Sequence, residues 1–159
     1  MNIVIENKKE KFLFARGVAE LKWIFQYPWI SERNRPLSQK YPFSSVSKLF
    51  YYQTVKVFKK NKLAGVFIFS VNEGHLKTLF FWLPKNLEKD TAAFLKNYCV
   101  KNKIEVITIY HSGVAKQLIH RKFPFLYVKE FGQKIYSSFK INDLEHHRFQ
   151  DGDGDRAFT

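Results

Sequence analysis

Glu73 and His75 flank Gly74, which places a carboxylate and an imidazole side by side at a turn. Such a pair can supply a general base for an amine. The same residues also suit a plain polar turn with His75 facing solvent. The stretch "LPKNLEKDTAAFLKNY", residues 83–98, follows an aromatic, strand-like run and opens a helix. Strand-to-helix junctions hold phosphates through free backbone N–H groups and the helix dipole, usually with glycine letting the backbone come close. This junction contains no glycine. Cys99 lies near the apolar stripe of that helix and reads as a small core residue rather than a nucleophile. Near the end, "DGDGD" with His146 and His147 offers groups capable of metal binding. An EF-hand loop needs Gly at its sixth position and Glu at its twelfth. Counted from Asp151, the sixth residue is Arg156 and the twelfth falls beyond Thr159, so an acidic tail lying on a basic body is the expectation.

The elements that must position these groups belong to one domain. The chain has 159 residues, 45% hydrophobic and 18% aromatic with 17 Phe, which supports a packed core. A single Cys excludes an internal disulfide and suits a reducing, cytoplasmic setting. The opening "NIVIENKKEK" has no apolar segment after a basic start, so no secretory signal is evident. The longest apolar runs, "GVFIFSV" and "TLFFWLP", fall far short of the ~20 residues of a membrane helix. Formal charge is +13, but residues 143–159 carry five acids and two bases. The body, residues 1–142, has 25 bases against 9 acids, a net charge of +16. That field favours anionic partners: phosphorylated cofactors, nucleic acid or acidic membranes. The lysines are scattered singly and in pairs, a pattern that equally suits a solvated surface.

Val18, Leu21, Ile24 and Phe25 recur at helical spacing over residues 15–26, and Pro28 ends the pattern. "ISERNRPLSQKYPFSS" is polar and broken by Pro36 and Pro42, which predicts a long loop. Three strand patterns follow: "YYQTVKVFKK", "AGVFIFSV" and "HLKTLFFWL", joined by "NKL" and "NEG" as hairpins in an antiparallel meander. After Pro84, Leu87, Thr91, Phe94, Leu95 and Tyr98 share a helical face, with Asn86 as candidate N-cap. "IEVITIY" is a strand that the intervening helix should make parallel to "TLFFWL". Ser112 caps a further helix carrying Val114, Ala115, Leu118 and Ile119, and "FLYVKEF" with "KIYSSF" should close with a hairpin. The fold class is α+β: a meander followed by β-α-β-α-β-β, with a tail from residue 143.

This order, carried by "KLAGVFIFSVNEGHLKTLFFWLP", the helix to Lys101 and "KIEVITIYHSGVAKQLIHRKFPFLYVK", resembles the GNAT acyltransferase fold over residues 51–139. The resemblance implies a mixed sheet whose two central parallel strands splay. It also implies an acyl-CoA, such as acetyl-CoA, held by the strand backbone at Phe81, Trp82 and Leu83 and at the helix start by Lys85, Asn86 and Leu87. The family's turn has the form Gln/Arg-x-x-Gly-x-Gly/Ala; here it is "PKNLEKDTAAF", with Glu88 and Asp90 in the first helical turn. In "HSGVAKQLIHRKF" the family's Asn-x-x-Ala-x-x-Leu-Tyr is matched at Ala115 and Leu118, while Ile119 stands where a Tyr would protonate the CoA thiolate. His120, rotated about 100° around the helix, and Tyr110 at the strand end are the alternative proton donors. With Glu73 as base, the candidate catalytic set is Tyr110, His120 and Glu73.

The function so implied is transfer of an acyl group to an amine, on a small molecule or peptide, or to another nucleophile. The alternative is a non-catalytic module that keeps the fold and binds an anionic partner such as nucleic acid, a reading supported by the aromatic and lysine interleaving of "LFYYQTVKVFKKNKLAGVFIF". Most of those Phe residues fall in buried-type runs. The helical content before Tyr51 is thin for a complete GNAT domain, which points to a neighbouring domain.

Overall fold

A computed structural model describes residues 11–12, 18–26, 30–33, 36, 45–120, 123–130 and 147–148. The meander is its centre. Strands β4 (Phe50–Lys59), β5 (Lys62–Asn72) and β6 (His75–Trp82) run antiparallel, and β7 (Val106–Thr108) adds to β6 in parallel, giving the order β4-β5-β6-β7. The hairpins form at two-residue turns with both residues at positive φ: Lys60 and Asn61 (48° and 60°), then Glu73 and Gly74 (46° and 84°). These turns match the right-handed twist of the flanking strands.

Both faces of the sheet are covered, which is why β5 reads as an unbroken apolar run. On one face, Phe67, Phe69, Val71, Leu76 and Phe81 pack with Ala92, Leu95 and Cys99 of α2 (Glu88–Lys101) and with Val114 and Leu118 of α3 (Ser112–His120). On the other, Ile68, Leu79 and Phe80 meet Leu21 and Phe25 of α1 (Val18–Gln26). Leu79 and Phe80 share a face because the β5–β6 register shifts between Ile68 and Phe69. A bulge of this kind turns two successive side chains the same way.

The 30–45 segment is bracketed by two short strands, β2 (Ile30–Glu32) and β3 (Ser45–Ser47), paired in parallel, where the sequence reads only as loop. The expected closing hairpin does not form over residues 125–130, which are outside any strand; its second arm, "KIYSSF", lies outside the described residues. In the 143–159 tail, β8 (His147–Arg148) pairs in parallel with β1 (Lys11–Phe12), and the "DGDGD" motif lies outside the described residues. Among the described residues, no helix is long and apolar enough to cross a membrane.

Candidate functional site

β6 and β7 are the parallel pair of the four-stranded sheet. They pair over three residues, His75 with Val106 to Lys77 with Thr108, and β6 then continues to Trp82 without β7 beside it. The Thr78 hydroxyl donates to the Thr108 carbonyl at 3.3 Å where they separate. β7 ends at Thr108, so the parallel pairing stops there while β6 runs on.

Side chains pack on the helix-bearing side of β6 beyond that pairing. Phe81 is buried, stacked on Phe67 with ring centroids 5.5 Å apart, and meets the His111 ring at 5.0 Å. His111 is fixed in turn by α3: its Nδ1 accepts from the Val114 N–H at 3.3 Å, and its carbonyl accepts from the Ala115 N–H. The imidazole therefore caps α3, the role expected of Ser112, and Nδ1 must carry the lone pair.

The turn that should hold a pyrophosphate is closed by its own backbone. Residues Lys85–Leu87 form a 3-10 turn in which the Leu87 N–H donates to the Pro84 carbonyl at 2.9 Å and the Glu88 N–H to the Lys85 carbonyl. Asn86 is not the N-cap; that position falls to Leu87, which has no side-chain cap bond. Leu87 is buried, and Leu83 packs onto the core, its Cδ1 only 2.9 Å from where a Cβ on Gly65 would sit. Glu88 and Asp90 occupy the first turn of α2, and the Glu88 carboxylate lies against Gly113 in the first turn of α3. A carboxylate is the stable occupant of a helix N-terminus and repels phosphate there. Lys85 and Asn86 are exposed and Trp82 is half-buried on the opposite, α1-bearing face. Of the six residues expected to bind a coenzyme, Phe81, Leu83 and Leu87 are thus core, and the donor set does not suit a pyrophosphate.

The three candidate catalytic residues are not brought together. Glu73 stands at the β5–β6 turn, at the opposite end of β6 from the 3-10 turn, about 23 Å along the strand at ~3.3 Å per residue. Its Oε1 accepts from the Lys48 N–H at 2.9 Å and lies 3.0 Å from the Ser47 hydroxyl, bonds that hold its pKa below the usual carboxylate value. That is the wrong direction for a base and the right one for a clasp between the β3–β4 link and the turn. Tyr110 is half-buried just before α3, whereas His120 is exposed at its far end, about 12 Å away along the axis. His75 is half-buried, not solvent-facing, with Nε2 2.8 Å from the Thr108 hydroxyl, and burial, with Lys77 adding to it, lowers its pKa. Cys99 is core, 3% exposed, its thiol pushed up to about 11 by burial. Among the described residues no group of His, Cys, Asp and Glu could hold a metal ion.

One feature of the other face escapes the pattern of buried aromatics. Phe58 on β4 is 58% exposed, with Lys56, Lys59, Lys60 and Lys62 exposed around it. Phe58 shares with Lys56 the face away from Val55 and Val57, near the end of the edge strand, which leaves it exposed.

In comparisons with known proteins, no family model, no curated protein and no solved structure matches this chain.

Proposed function

We propose that this chain is a non-catalytic binding module, built on a GNAT-like α+β core, that takes an anionic macromolecular partner. The observation that carries this reading is the contact of Phe81 with His111 over the place where β6 and β7 part. Phe81 also stacks in the core, so moving it to admit a pantetheine arm would cost core packing. The internally bonded 3-10 turn and the Glu88 carboxylate point the same way. The positive body, +16 over residues 1–142, supplies long-range attraction for a polyanion.

Acyl transfer is the second reading, and the end of β6–β7 pairing at Lys77, with β6 running on alone, is the observation that favours it. Thermal-shift and calorimetric titrations separate the two. The binding module shows no saturable response to millimolar acetyl-CoA, and binds a generic polyanion such as heparin with affinity that falls steeply as salt rises. Saturable stabilisation by acetyl-CoA, with no salt-sensitive polyanion binding, would overturn the proposal.

A further inference from the structure

We infer that the β4–β5 hairpin end is a contact surface for single-stranded nucleic acid, with the Phe58 ring stacking on a base and the lysines around it holding phosphates. The inference rests on the binding-module reading and names the partner and the surface. Residues 48–72 contain five lysines, Lys48, Lys56, Lys59, Lys60 and Lys62, and no Asp or Glu. All five are exposed, and four of them cluster at one end of the hairpin. Phe58, 58% exposed, shares a sheet face with Lys56 two residues away, about 7 Å along the strand. The β4–β5 register shifts beside this ring, with Val57 opposite Gly65 and Phe58 opposite Leu63, so that Ala64 of β5 is the extra, bulged residue.

The hairpin turn carries a lysine where another residue would fit better. Lys60 adopts φ 48° beside Asn61 at φ 60°, where Gly and Asn fit without steric cost and a long side chain does not. The basic character continues around the end of the sheet. Leu83 and Pro84 lie over Gly65 of β5, which brings the exposed Lys85 of the following turn to the same end. The acids in the first turn of α2, which follows Lys85, are Asp90, which is exposed, and Glu88, which is turned against Gly113.

The geometry distinguishes among polyanions. A duplex offers no free base face to a lone ring, whereas an unpaired base stacks on it regardless of sequence. A membrane would have to take the tip, and there stand Lys59, Lys60, Asn61 and Lys62, all exposed and all costly to bury in hydrocarbon. The aromatic lies on the side of the hairpin and the charges at its end, an arrangement in which a strand can lie along both.

The test is fluorescence anisotropy of the full chain with a labelled oligothymidine of about 12 nucleotides, repeated from about 50 to about 200 mM salt. Competitors are a duplex of equal length and phosphatidylserine vesicles. Wild type is expected to bind the single strand in preference to both. Phe58→Ala should raise Kd by roughly 5- to 150-fold, the range expected of base stacking worth ~1–3 kcal/mol. Lys56→Ala with Lys60→Ala should make the slope of log K against log salt shallower by about 1.4, ~0.7 for each phosphate no longer neutralised. Lys101→Ala with Lys103→Ala, removing the same charge at the other end of α2, should leave Kd within about twofold. Equal weakening by the two lysine pairs with no effect of Phe58→Ala would overturn the inference while leaving the binding module standing. Preference for duplex or vesicles would overturn it likewise. No binding of wild type to any polyanion would overturn both. Phe58 is exposed, so an unchanged melting temperature confirms that the variant is folded.

Discussion

Replacing Phe81 by Ala tests whether the parting of β6 and β7 is closed by core packing or by a movable cover. The ring is 7% exposed, stacked on Phe67 at 5.5 Å and tilted against His111 at 5.0 Å. Removing a buried Phe side chain forfeits up to ~3 kcal/mol of transfer free energy. The aromatic pairing adds ~1 kcal/mol, giving about 4 kcal/mol, within the ~3–5 kcal/mol typical of Phe→Ala in cores. For a chain of 159 residues each kcal/mol moves Tm by ~2–4 °C, so a drop of about 8–16 °C is expected. Thermal unfolding followed by circular dichroism, with a denaturant midpoint alongside, measures it. Adding acetyl-CoA to the variant should restore nothing, because the 3-10 turn still commits the Leu87 and Glu88 amides to Pro84 and Lys85. A loss below about 1 kcal/mol, or recovery of Tm on adding acetyl-CoA, would refute the reasoning and return the site to the coenzyme.

Two further outcomes follow from side chains that the fold brings together. A Cβ on Gly113 collides with the Glu88 carboxylate, the far end of a flexible side chain. Gly113→Ala should therefore be near neutral alone but stabilising by ~0.5–1 kcal/mol in a Glu88→Ala background, where the helix gains alanine without the clash. Additivity within about 0.3 kcal/mol in that double-mutant cycle would show that the two do not meet. His75 gives a pH dependence: its folded pKa lies below the ordinary value of 6.5, so the unfolded chain takes the proton first as pH falls. Its contribution is fully present above 6.5 and is lost as pH falls through the folded value, whereas that of Glu73, also depressed, is lost below 4.5. His75→Gln should flatten the stability–pH slope as pH falls below 6.5, and an unchanged slope in denaturant titrations would contradict this.

Much of the fold was legible because its signals are local. Alternation and turn residues marked β4, β5 and β6, and a crossover helix requires its strands to be parallel, which β6 and β7 are. The 3.6 period after Pro84 marked α2, with Leu87, Thr91, Leu95 and Cys99 buried, although Phe94 of the same stripe is 39% exposed. The candidate site was less legible. Asn86 and Ser112 had the right residue types for caps, yet a 3-10 turn displaced the first and the His111 ring took the place of the second. The short strands β2 and β3 were hidden in a polar, proline-broken segment, where no period-2 pattern can show.

What the sequence determined by itself was the order and direction of the main sheet, the apolar stripe of α2, the burial of Cys99 and the strong positive charge of the body. Each depends on periodicity, composition or chain connectivity. Tertiary structure alone decided that Phe81 meets the distant His111, that Glu88 lies over Gly113, that His75 bonds to Thr108, and that Phe58 stays exposed among exposed lysines. Those outcomes depend on strand register, on a bulge and on where each helix ends. A one-residue change in any of them would move a side chain to the other face without altering the pattern from which the strand was read.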